Sequence, residues 1–400
     1  STLNVASEFG PNSSSSGFTG SVIYNAHSHL QHNAVTNMGA ERFLGEEKLS
    51  NAKSSVPLVL GLQPAALVDH VARVDWSLLD QIPGDRGGSV PVAKEELDYI
   101  LREVKSHTVA FPGDSCPVKT LAGGSVANTI RGLSAGFGVP TGIIGAYGDD
   151  AEGKFFTSNM LFNGVSLSRL RLRKGSTGQC VCLVDELGNR TMRPCLSNAV
   201  KIQADELVNE DFKGAKWLIV RYAPINLEVI EEAIRIAKEE GLSISMDLAS
   251  FEMVRAFRKP LLKILESGNI DLCLANEDEA TELLMGDTEA ALNFLSKHCK
   301  YAVVTLGGNG CIAKHGEEIV RVPAIGEPKA VDTTGAGDLF ACGFVYGRLN
   351  ELSLMECCEL GGCCGGTVIR SLGAELTPES WQCAYKHMLA KDLPLPPIRS

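Results

Sequence analysis

The chain has 400 residues, 44% of them hydrophobic and 21% charged, a globular composition with room for one large domain and little else. A formal net charge of −11 excludes a surface that gathers the backbone of DNA or RNA by charge, so any anionic ligand must be held locally. No apolar run reaches the roughly 18 residues that a membrane-spanning helix needs, so neither nucleic acid nor membrane is expected as a partner.

In chain order, residues 1–55 come first. They carry Ser13-Ser14-Ser15-Ser16, several Asn and His, and little hydrophobic periodicity. Such a stretch buries no core and is expected to be a disordered tail or the remnant of a targeting leader. The folded domain is expected over 56–400, opening with a strand at Val56 to Gly61. From about residue 140, apolar strands at Gly142 to Ala146, Lys216 to Arg221, Ser243 to Asp247, Asp271 to Ala275 and Ala302 to Leu306 alternate with helical patterns such as Leu227 to Glu240 and Ala290 to His298. That rhythm predicts an α/β fold with a mostly parallel sheet covered on both faces, and ligands beyond the carboxyl ends of its strands. Residues 179–196 break the rhythm as a β-hairpin. With strand material near 67–74 they are expected to form a small accessory sheet. Thirteen cysteines without a CxxC read as small buried hydrophobes of a reducing compartment; Cys180 and Cys182 share a strand face without a metal-clip turn.

Three segments carry chemistry. At Asp332-Thr333-Thr334-Gly335-Ala336-Gly337-Asp338, a strand-like approach leads into small residues that open a helix. Their unpaired N–H groups and the helix dipole favour an anion such as a phosphate, and Asp338 in the first turn can accept a hydroxyl proton beside it. Alone, the same acid could simply stabilise a helix start. Gly123-Gly124 precede a helix carrying Asn128, which permits close approach of a ligand to backbone; a tight turn with a solvent-facing Asn is the plain alternative. Asn276 and Glu279 have capping-box spacing, with a carboxylate at a strand end able to hold the water shell of Mg²⁺ as the functional reading. Gly148 to Phe155 has P-loop spacing, but Phe155 stands where Ser or Thr must ligate Mg²⁺ and acidic residues crowd the loop, so it is set aside.

Together AGGSVAN, NEDE and DTTGAGD resemble the pfkB (ribokinase-like) carbohydrate kinase family from about Leu58 to Lys391. The resemblance implies a three-layer α/β/α sandwich with a small β lid, and an ATP-dependent phosphotransferase acting on an alcohol. It implies Asp338 as catalytic base and Gly335, Ala336 and Gly337 as anion hole. Asp69, Gly123, Gly124 and Asn128 become substrate contacts, and Asn276, Thr305, Gly307, Gly308 and Gly310 nucleotide contacts. Glu279 holds Mg²⁺ through water, and Arg190 belongs to the lid. ATP and Mg²⁺ are the implied cofactors, with a monovalent cation such as K⁺ near the late motif as a further expectation. The Gly/Cys-rich run after Gly361 departs from many relatives where the base is bound.

The first-strand layout and the roughly 50 residues between Asp69 and Gly123 resemble the nucleoside-kinase version, which favours the 5′-hydroxyl of a purine nucleoside such as inosine, guanosine or adenosine. A free-sugar kinase of the ribose or fructose type and a catalytically weak interaction protein are the alternatives. The pattern also resembles plant organellar members, hence a plastid rather than the cytoplasm. A monomer or a lid-mediated homodimer is expected.

Overall fold

The computed structural model describes residues 56–109, 118–197, 199–326 and 329–397. The Ser-rich stretch expected as a tail lies outside them. The strands are β1 (Val59–Ala65), β2 (Leu67–Arg73), β3 (Val118–Gly123), β4 (Thr141–Gly148), β5 (Leu170–Arg173), β6 (Gly178–Val184), β7 (Arg190–Cys195), β8 (Trp217–Arg221), β9 (Ser243–Asp247), β10 (Leu272–Asn276), β11 (Tyr301–Thr305), β12 (Cys311–His315) and β13 (Glu318–Val322).

Nine of them form one sheet in the order β13-β12-β11-β10-β9-β8-β1-β4-β5. From β5 to β11 every pairing is parallel, and only β12 runs against the rest, antiparallel to both β11 and β13. The central strands read WLIVR, SISMD, LCLAN and YAVVT: three are apolar or aromatic until a polar last residue, and SISMD, with Ser243 and the buried Ser245 before it, ends in Asp247. Burial on both faces requires the apolar run, and release into a crevice allows the polar end. Because Arg221 pairs with Asp247 and Asn276 with Thr305 in register, four polar side chains come to one carboxyl edge of the sheet.

Helices cover both faces. Cys273, Ala275, Ala302 and Val304 pack under the helices Leu227–Glu239, Arg258–Glu266, Glu277–Leu284 and Thr288–His298. Leu272, Leu274, Tyr301 and Val303 face the helices Ser125–Phe137, Ala336–Leu349 and Leu354–Val368. The alternation along each strand is the period of two that separates its faces. This is the three-layer arrangement expected from the sequence. The helices Ala336–Leu349 and Leu354–Val368 lie so close that a Cβ on Gly343 would stand 2.3 Å from the Leu360 carbonyl oxygen. The Gly/Cys-rich run is thereby explained: small residues let two buried helices approach. Among the described residues, no helix is long and apolar enough to cross a membrane.

A second sheet has the order β3-β2-β6-β7. One face is covered by the helix Lys94–His107 through Leu97, Ile100 and Val104 against Val181 and Leu183. The other face carries Val71, Cys180, Cys182 and Val184 and packs on Leu372. The long stretch between Asp69 and Gly123 is therefore partly spent on the outer side of this sheet.

One local expectation fails. Val331 and Asp332 are not strand; both donate their N–H groups to the Ile369 carbonyl, at 2.7 and 3.3 Å. Their partner is a helix end, so no ladder forms.

Candidate active site

A cavity of about 290 Å³ opens at the carboxyl edge of the large sheet. Asp69, Gly124 and Asn128 line it beside Arg190 and Met192 from β7; Arg221, Asp247, Asn276 and Glu279 line it from the large sheet, and Thr333 to Asp338 from the late motif. A second cavity of about 490 Å³ adjoins it, sharing Thr305, Gly307, Thr333, Ala336, Gly337 and Phe340. Gly308 and Gly310 line only this second space, with Val322 to Gly326, Cys358 and Gly362. Of the residues singled out from the sequence, Gly123 lines neither.

The late motif is held from both sides. Asp332 is fully buried, its two oxygens accepting from Thr334 N and Gly373 N, each at 2.8 Å. Asp338 sits in the first turn of the Ala336–Leu349 helix and accepts from Asn128 Nδ2 at 2.8 Å and from the Ser125 hydroxyl. A Cβ on Gly337 would meet nothing within 4 Å, so this backbone borders open space. Ala336 N donates to the Thr333 carbonyl at 3.3 Å, which leaves the Gly337 and Asp338 N–H groups of the first turn beyond the reach of the helix's own carbonyls, the arrangement that binds an anion. The buried Thr334 hydroxyl also lacks a partner.

The glycine pair acts through its neighbours. Gly124 has φ +98°, and a Cβ there would stand 2.2 Å from the Gln63 amide, whose Oε1 accepts from Ala127 N at 3.0 Å. A Cβ on Gly123 would stand 2.2 Å from the Asp69 carboxyl carbon. Gly123 therefore makes room for Asp69 rather than touching the cavity.

Asn128 is turned by a residue that the sequence reading missed. Its Oδ1 accepts from Arg131 Nη2 at 2.9 Å, which directs its Nδ2 to Asp338. Arg131 is buried and also donates to the Ala122 carbonyl at 2.6 Å and to Asn159 Oδ1 at 3.2 Å. Asn159 in turn donates to Glu375 at 3.2 Å.

Electrostatics divide the acids. Burial pushes Asp69 up to about 7; Arg131 opposes this and Asp338 adds to it. Burial likewise raises Glu279 to about 8, with Asp247 adding and Arg221 and Arg190 opposing. Asp247 is raised by burial and lowered by Arg221. Each shift reflects the cost of burying a carboxylate, which a cation held beside it would offset. Glu279 also closes a capping box: it accepts from Asn276 N at 2.9 Å and Asn276 Nδ2 at 3.2 Å. Structural cap and cavity wall are thus the same residue. Asp247 and Arg221, too, were missed, although each is the polar last residue of a central strand and could have been found by that signal.

The small sheet touches the late motif. Gly188, at the turn between β6 and β7, accepts from Thr333 N and from its hydroxyl, both at 3.4 Å. The P-loop-like segment is ordinary capping: Asp150 accepts from Gly153 N at 2.8 Å and from Thr177 N at 2.7 Å.

Residues 115–381 match the family described as pfkB family carbohydrate kinase. An uncharacterized sugar kinase of Archaeoglobus fulgidus is 31% identical over 249 residues, covering 61% of this chain and 96% of that protein. The adenosine kinase of Sinorhizobium meliloti is similar in structure, with a TM-score of 0.74 and 29% identity over 83% of this chain and 99% of that one. A putative ribokinase II of E. coli, solved with ATP and Mg²⁺, shares the fold with a TM-score of 0.64 and 19% identity, covering 84% of this chain and all of that one.

Proposed function

The chain belongs to the pfkB carbohydrate kinase family and is an ATP-dependent kinase of a sugar or nucleoside hydroxyl, and from that premise we propose that its acceptor is a nucleoside, phosphorylated at its 5′-hydroxyl. The observation that carries the kinase reading is the junction of two cavities at Ala336, Gly337 and Phe340, with Asp338 lining the smaller one.

Under this reading ATP lies in the larger cavity. Its wall of Val322 to Gly326, Phe340 and Ile369 is apolar, as a base requires, and Gly307, Gly308 and Gly337 have open space where a side chain would project. The residues fit the nucleotide. Glu279, Asp247 and Asn276 fit a hydrated Mg²⁺, since all line the smaller cavity and two are acids, Glu279 buried and Asp247 half-buried, with only the arginines as cations beside them. When bound, the ion neutralises charge on the phosphates. The acceptor hydroxyl lies against Asp338, which takes its proton as the acceptor oxygen bonds to the γ-phosphorus and the bond to the ADP oxygen breaks. The first-turn N–H groups of Gly337 and Asp338 meet the charge of the transferred group, with Gly335 and Ala336 giving it room. Asp69 accepts from other acceptor hydroxyls, and Arg190 on β7 covers them.

Similarity to the Sinorhizobium meliloti enzyme over 83% of the chain supports a nucleoside, as do Leu67 and Met192, apolar contacts beside Asp69. One observation favours a free sugar: among the described residues the smaller cavity has Phe340 as its one aromatic ring, and that ring is shared with the nucleotide side. Purified protein with ATP, Mg²⁺ and a panel of nucleosides and sugars decides between them. Turnover of ribose or fructose with none of inosine, guanosine or adenosine would overturn the nucleoside reading.

A further inference from the structure

Cys180 and Cys182 were read from the sequence as buried hydrophobes without a metal-clip turn. The fold supplies what the turn would have. Strands β2 and β6 run parallel with Asp69 opposite Cys180. Side chains opposite each other in register share a sheet face, and Cys182, two residues on, shares it too. The two Sγ atoms and a carboxylate oxygen of Asp69 all lie within 4.8 Å of one another. Among the described residues no other group of three His, Cys, Asp or Glu side chains converges in this way.

Three observations bear on a ligand. The Cys180 and Cys182 sulfurs are 3.9 Å apart. Two thiolates on one tetrahedral zinc, with Zn–S near 2.3 Å, are separated by about 3.8 Å. Asp69 Oδ1 is buried and has no hydrogen-bond partner. The cysteines offer their S–H groups only weak acceptors, Cys182 to Cys180 and Cys180 to the Val181 carbonyl at 3.6 Å. Each is a poor use of a buried polar atom.

We propose that Cys180, Cys182 and Asp69 form a three-ligand site for a thiophilic divalent cation of the zinc class. Two sulfur ligands and one carboxylate suit that class over Mg²⁺ or Ca²⁺, which take oxygen. Binding forms two metal–thiolate bonds and one metal–carboxylate bond, and the two thiol protons, with the Asp69 proton where the carboxyl holds one, leave to solvent. Three negative ligands around a dication leave one negative charge, which the nearby Arg131 guanidinium balances. Asp69 lines the smaller cavity while both cysteines are fully buried, so the carboxylate is the side from which an ion would enter. The consequence for catalysis rests on the acceptor reading: an occupied site withdraws Asp69 from acceptor hydroxyls, so the cation inhibits in competition with the acceptor and not with ATP.

The test is a cadmium titration of the reduced, nucleotide-free full chain, following the ultraviolet thiolate-to-cadmium charge-transfer band, with zinc as competitor. Because the chain has thirteen cysteines, the readout is the difference between proteins. Wild type is expected to take one tight equivalent that Cys180→Ser, Cys182→Ser and Asp69→Asn each weaken by at least about 10-fold. Equal stoichiometry and affinity in wild type and the Cys180/Cys182 double variant overturns the site, as does a wild type without a tight equivalent. Should the serine variants lose their thermal transition, Asp69→Asn carries the test: unchanged cadmium affinity there overturns the three-ligand site. No acceptor or ATP enters the titration, so its failure leaves the kinase reading standing.

Discussion

Asn128 donates its side-chain amide to Asp338 at 2.8 Å, joining the helices Ser125–Phe137 and Ala336–Leu349 across 210 residues of sequence. Together with the Ser125 hydroxyl on the other oxygen, the bond fixes the carboxylate at a helix start, and it leaves Asp338 able to accept a proton.

Asp338→Asn should abolish turnover by about 10²–10⁴-fold, the usual cost of losing a general base. The larger cavity is unchanged by this substitution, so the dissociation constant for ATP should stay within a few-fold of wild type. Calorimetric ATP binding beside a coupled kinase assay checks both, and wild-type turnover in the variant would remove Asp338 from its role.

Arg131→Gln should lower both stability and kcat. It removes a buried cation near Asp69 and the donors to the Ala122 carbonyl and Asn159, and leaving a buried acceptor unpaired costs about 1–3 kcal/mol. It also releases Asn128 to turn its amide. Arg131→Lys keeps charge but not the two-pronged hold on Ala122 and Asn128, so it should recover stability more than kcat. Equal recovery of both would reduce Arg131 to a structural role.

Asp69 carries a pH signature. Its folded pKa of about 7 stands above the ordinary 3.8, so the folded state binds the extra proton between those values. Stability then falls as pH rises through that window and levels off above it. Asp69→Asn should raise Tm at pH 8 relative to wild type and leave it nearly unchanged at pH 4. The acceptor KM of wild type should fall as pH rises through about 7, where the carboxylate becomes charged. A KM flat across that range would show that Asp69 does not hold the acceptor.

Two glycine substitutions should behave oppositely. Gly124→Ala strains a positive φ and drives a methyl into Gln63, so it should cost about 1–3 kcal/mol in a thermal or urea melt. Gly337→Ala meets no atom and sits in a helix, where it should be neutral or stabilising by about 0.4–1 kcal/mol. Its methyl enters the space where the two cavities join, so kcat/KM should drop while the melt holds. A fully active Gly337→Ala would place the transferred group elsewhere.

How much of this was legible in the sequence depended on range. Strands ending in Arg221, Asn276 and Thr305 are visible as apolar runs with a polar last residue, because burial on two faces leaves that mark; the strand ending in Asp247 carries two serines and shows it less plainly. Asp338 was legible because the anion site and its acid lie within four residues. Arg131 was not, since its work is done against Ala122, Asn159 and, through Asn159, Glu375, which meet only in three dimensions. Gly123 was read as a contact with ligand because small size looks the same whether a ligand or a neighbouring Asp69 fills the space. Val331 and Asp332 looked like a strand because local pattern does not reveal that the partner is a helix end at Ile369.

The contact of Gly188 with Thr333 has a bearing on timing. A hairpin that hangs from the accessory sheet and bonds to the backbone of the phosphate-facing loop cannot swing away without loosening that loop. Under the proposed function, opening of this hairpin to admit the acceptor would also loosen the loop that meets the phosphates. Initial-rate patterns should reveal a compulsory sequence of entry rather than two independent doors.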